Sequence, residues 1–239
     1  MTITVGVTPA GTGSGDSASI QLAIGSVTSG QLIVIQAAKR YNSVDAAFVS
    51  GDCTRVSGAT IDGFVLDKTT GGVDAASVYG YSAIWSAIAT SSGALTVQVA
   101  GAADSVWQVS SVSFNGSWDS SRLEASNGAT ITAFTSSAGT GSSGNATSSG
   151  AAVFVGAAGV NSYVDTGFAK DATYTQIYND TGASLESYAA GYLIKGAGDT
   201  DDWHPSFSNS NNGGFSIVVV YKEGASQSRA PKLMMLGIG

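Results

Sequence analysis

A chain of 239 residues with only 11% charged positions, 32 glycines and abundant Ser and Thr has little material for solvated helix faces, so β-strands joined by turns are expected. The net charge of −7, with ten scattered basic residues, argues against nucleic acid and against an anionic membrane surface, because both draw on clustered Lys and Arg. A single cysteine, Cys53, excludes an intramolecular disulfide and a cysteine zinc site, and it reads as a small buried hydrophobe.

Strand patterns recur along the chain. Gly11-Thr12-Gly13-Ser14-Gly15 reads as a flexible lead-in, since it lacks the lysine and the strand-loop-helix setting of a phosphate loop. Residues 19–24 then alternate cleanly, and Leu32-Ile33-Val34-Ile35 is apolar on both faces, as a central strand would be. Further strands are expected at 63–66, 78–88, 95–99 and 106–114, the last ending at the turn dipeptide Asn115-Gly116. Trp85 and Trp107 fall on these strands and read as core.

The second half repeats the style at 131–134, 152–155, 174–178, 185–194 and 215–221. The last of these is so apolar that it needs a partner on each face. The low-complexity run 136–150 reads as a loop tip rather than a linker. Together these patterns predict an all-β chain: one antiparallel β-sandwich, jelly-roll-like, over residues 1–224, with an extended N-terminal segment and a tail or arm over 225–239. A parallel α/β design is excluded.

Chemistry is sparse. His204 is the sole histidine, no Gly-x-Ser-x-Gly elbow is present, and no catalytic residue, cofactor or metal site is expected. The acids Asp199, Asp201 and Asp202 fall short of an EF-hand pattern and read as turn caps. Exposed aromatics could instead stack on sugar rings, and Trp118 and Trp203, together with Tyr41 and Tyr163, lie near expected loops. In the tail, a polar stem carries Leu233, Met234, Met235, Leu236 and Ile238. Such an apolar tip either folds back as an edge strand or docks on a neighbouring subunit.

Five stretches carry a family resemblance: Gly-Asp-Ser-Ala-Ser-Ile at 15–20, Gly-Gln-Leu-Ile-Val at 30–34, the aromatic strand at 81–85, the strand at 107–116 and the closing strand at 214–222. The chain resembles β-sandwich proteins encoded among tailed-bacteriophage structural genes, of the head-decoration or tail-associated type. That resemblance implies a virion component without an active site, forming symmetric homo-oligomers on a shell or tail. The tail after residue 224 is not part of the pattern.

The expected function is therefore a non-enzymatic capsid decoration protein that binds the head shell as a homo-oligomer, a trimer being one candidate. Its partners would be itself, the major capsid protein or other virion proteins. The start, Met1-Thr-Ile-Thr-Val-Gly, lacks the features of a signal peptide, which fits assembly into a virion in the host cytoplasm. The alternative is a receptor- or glycan-binding module of a phage tail or fibre, meeting surface glycans.

Overall fold

The computed structural model describes residues 3–7, 10–14, 18–41, 47–73, 79–100, 105–131, 139–140, 143–160, 172–180, 187–196, 198–207 and 214–224. The first half carries β1 (Thr4–Val5), β2 (Ala10–Ser14), β3 (Ser19–Val27), β4 (Leu32–Tyr41), a 3-10 turn (Ser50–Asp52), β5 (Cys53–Gly58), β6 (Val65–Val73), β7 (Tyr79–Ile88), β8 (Gly93–Ala100) and β9 (Ser105–Asn115). The second carries β10 (Leu123–Ile131), β11 (Gly139–Thr140), β12 (Ala146–Ser148), β13 (Ala152–Val160), β14 (Thr175–Asp180), β15 (Ser187–Lys195), β16 (Asp199–Asp201), β17 (Ser206–Phe207) and β18 (Gly214–Lys222). Every pairing between them is antiparallel, and the all-β expectation holds.

Each half is a long hairpin rolled up on itself. In the first, β2 pairs with β9, β3 with β8 and β4 with β7, leaving β5 and β6 at the tip. In the second, β10 pairs with β18, β11 with β17, β12 with β16 and β13 with β15, leaving β14 at the tip. The larger sheets come out in one order, β2-β9-β4-β7-β6 and β10-β18-β13-β15-β14, with β1 continuing the β2 edge. This nested pairing is the wrapping that makes a jelly roll. Both halves therefore carry a nested roll, where one sandwich over residues 1–224 was expected.

The reason for the stacking lies in the central strands. Leu32 through Ala38 are all buried, with Ile33, Ile35 and Ala37 packed towards β3, β5 and β8, and Leu32, Val34 and Ala38 packed towards the second large sheet. In β18, Ile217, Val219 and Tyr221 meet the first sheet, while Val218 and Val220 meet an outer cluster with Phe154 and Trp203. Strands apolar on both faces must be covered on both. The order of layers is thus β3/β8/β5, the first large sheet, the second large sheet, and the short strands with Trp203.

Contacts across the middle seam are reciprocal. The first strand of one roll, β10, lies against the tip strand β6 of the other, β2 lies against β14, and β4 meets β13. The match between the halves is partial, since β7 also meets β13 and β18.

Several segments differ from expectation: β5 and β10 form where no strand was expected, and the expected strand at 131–134 lies outside the described residues after Ile131. The presumed lead-in 11–14 belongs to β2, held in register against Trp107 through Ser111 of β9, because backbone pairing alone makes a strand of small residues. The presumed loop tip 136–150 contains β11 and β12, and Ala146 and Ser148 are buried because they cover the second sheet. The expected arm at 225–239, including Leu233, Met234, Met235, Leu236 and Ile238, lies outside the described residues, as do Tyr163 and the side chains of Tyr41 and Trp107.

If the seam is a true interface, fragments 1–120 and 121–239 expressed together will co-purify as a 1:1 complex with a far-ultraviolet spectrum matching the intact chain. Fragments that never associate would contradict it.

Candidate functional site

Trp118 sits in the bend after β9, where its indole N–H donates to the Phe114 carbonyl at 3.0 Å and the ring lies over Gly116. A Cβ at Gly116 would fall 2.8 Å from the indole, so glycine is required for this fold-back. The side chain is half-buried against the seam. Gly116 also borders a hollow of about 240 Å3, lined further by Thr28, Ser29, Gly30, Gln31 and Asn115.

The amides of that hollow are already engaged. Gln31 Nε2 donates to Asn115 Oδ1 at 2.8 Å, Gln31 Oε1 accepts from the Thr28 N–H at 2.9 Å, and Asn115 Nδ2 donates to Thr4 Oγ1 at 3.1 Å. They tie the loop ends together. A polar ligand would have to compete with these bonds.

Trp203 is not a surface platform, and its expected role in ligand binding is corrected. It is wholly buried, edge-on to Tyr174 with ring centroids 5.0 Å apart. Gly156 and Gly191 leave the space it fills: a Cβ on Gly191 would lie 2.8 Å from the ring, and one on Gly156 closer still. The Asp-rich stretch before it resembled a loop, yet the ring plugs the outer face of the second sheet.

The acids of that stretch already hold side-chain partners. Asp199 and Asp201, two apart on β16, share one face, and Lys195 Nζ reaches both at 2.8 and 3.2 Å. Hydrogen bonds from Lys195 and from the Thr200 N–H hold the Asp199 carboxyl below its ordinary value, and the two carboxylates push Lys195 upward. Asp202 meets His204 Nδ1 at 2.7 Å. Lys195, Asp199 and Asp201 form an ion-pair network.

A dense polar cluster lies in the seam, at residues the sequence did not single out. β6 slips register between Leu66 and Lys68, so Asp67 is an extra residue whose side chain is re-aimed by the bulge. It accepts the Tyr221 O–H of β18 at 2.6 Å. Ser86 of β7 hydrogen-bonds the same carboxyl and accepts Arg122 Nε–H at 2.9 Å, while Arg122 Nη1 reaches Asp62 at 3.2 Å. Burial pushes Asp67 upward, against the pull of Ser86, Tyr221 and the Arg122 charge. Asp67 itself is half-buried, whereas the Tyr221 phenol is wholly buried and is also pushed upward.

Cys53 is a free, buried thiol at the start of β5. Burial, reinforced by the charge of Asp52, pushes its thiol upward, so it stays protonated at neutral pH. The thiol will resist a thiol-specific reagent in the native chain and react fully after unfolding. Trp203→Ala will cost about 3–5 kcal/mol in chemical denaturation, whereas Trp118→Ala will cost under about 2 kcal/mol. Compared with known proteins, the chain matches no family model, no curated protein and no solved structure.

Proposed function

We propose that the chain is a structural component of a virion, a capsid decoration protein of tailed-phage type that binds the head shell as a homo-oligomer and works by presenting rigid faces. The observation that carries this reading is where the charge goes. Arg55 donates to the carbonyls of Gly58 and Ala59 at 2.6 and 2.7 Å, Glu223 accepts from the Ser117 N–H at 2.9 Å, and Arg122 lies in the seam. Lys222 meets Glu124 at 3.3 Å.

Charges spent on the fold leave one outward face largely neutral. On the outer side of the β3/β8/β5 sheet, Gln21, Ala23, Thr54 and Ala94 are exposed, and Gln21 bonds Gln98 across the strands at 3.2 Å. A face of this kind docks by shape and main-chain complementarity, with little dependence on salt. Two rolls locked through a common seam supply the stiffness that such a cement protein needs.

The tail over 225–239, with Leu233, Met234, Met235, Leu236 and Ile238, is the proposed attachment element. A chain ending at Gly224 will keep its folded spectrum but lose oligomer mass in light scattering, or lose binding to undecorated particles. Unchanged assembly and binding would contradict the arm. The second reading, a glycan-binding module, is favoured by the half-buried Trp118 indole beside the Ser- and Thr-lined hollow. A glycan array will give no signal that Trp118→Ala abolishes if the structural reading holds.

A further inference from the structure

The seam cluster holds one cation between two carboxylates. Arg122, with its side chain only 5% exposed, pairs directly with Asp62 and donates to the hydroxyl and carbonyl of Ser86. Its charge is therefore matched before Asp67 is considered. Asp67 faces Ser86 from β7, Tyr221 from β18 and, through Ser86, Arg122 from the segment joining the rolls. On its own strand, Lys68 turns towards Gly128 of β10. On β10, Glu124 is occupied by Ser148, Ser149 and Lys222. Among the described residues, an ionised Asp67 would be a second anion with no cation of its own.

We propose that Asp67 is a proton-dependent latch: as a neutral acid it closes the seam between the two rolls, and its ionisation loosens their hold on each other. The neutral carboxyl still accepts the Tyr221 O–H through its carbonyl oxygen and can donate its own proton within the cluster. The β-bulge gives the latch its position, since a regular β6 would not aim this residue at β18.

The direction follows from the seam's effect on Asp67. Burial raises its value in the folded chain above that of the unfolded chain, so the stabilisation is complete at pH below the unfolded value, about 3.9. It is lost as pH rises through the higher folded value. Carboxyls such as Asp119, Asp199 and Glu124, all held below their ordinary values, act in the opposite sense, so a variant comparison isolates Asp67.

The test is urea denaturation of the full chain between pH 4 and 8, with hydrogen exchange followed by mass spectrometry over β6 and β18. Relative to Asp67→Asn, the wild-type folding constant will fall by up to about tenfold per pH unit over part of this range, and exchange in β6 and β18 will rise with that fall beyond the intrinsic rate. Tyr221→Phe, which removes a bond favouring the ionised form, will move the fall to higher pH. Parallel profiles for wild type and Asp67→Asn, or a Tyr221→Phe shift to lower pH, would overturn the latch.

Discussion

Strands that are apolar on both faces govern this structure. Leu32 to Ala38 in β4, Ala152 to Ala158 in β13 and Phe215 to Tyr221 in β18 have almost no contact with water, and none could be covered by a single opposing sheet. Burying such strands is worth roughly 1.5–3 kcal/mol for each large side chain, but only if a second layer reaches the outer face. Each roll alone covers one side of its large sheet. The two large sheets must therefore cover each other, and the reciprocal placement of β10 on β6 and β2 on β14 is the consequence.

A purely apolar seam would hold many relative placements of two flat sheets about equally well. Directional bonds narrow the choice. Ser110 on β9 meets Gln36 at 2.9 Å and the Tyr188 hydroxyl of the other roll at 2.8 Å, Ser82 donates to the Phe215 carbonyl at 3.0 Å, and the Asp67, Tyr221, Ser86 and Arg122 cluster pins the opposite margin. Buried polar groups of this kind cost stability when unpaired, so each one disfavours a shifted seam. Position is fixed by polar contacts, and adhesion comes from the apolar ones.

Much of this was legible in residue pattern. The alternation Leu95, Val97, Val99 identifies β8, and the unbroken apolar run 217–221 announces a strand covered twice. What escaped was written in weaker signals. β2 is Ala-Gly-Thr-Gly-Ser, whose small side chains carry no periodicity, and β12 hides in a Ser- and Gly-rich run because its role is to cover with Ala146 and Ser148. Trp203 looked like a loop aromatic because three aspartates precede it. The clue to its burial was remote: Gly156 and Gly191 interrupt two apolar strands where its ring needs room. Asp67 could not be found from pattern at all, since a bulge decides where it points.

The seam makes the two rolls behave as one body. Native-state hydrogen exchange of the full chain in rising urea tests this directly, by comparing the slowest amides of β4 and β9 with those of β13 and β18. A shared seam predicts one opening free energy for both groups and a single cooperative loss of protection. Two separated transitions, with one roll still protected after the other has opened, would contradict it.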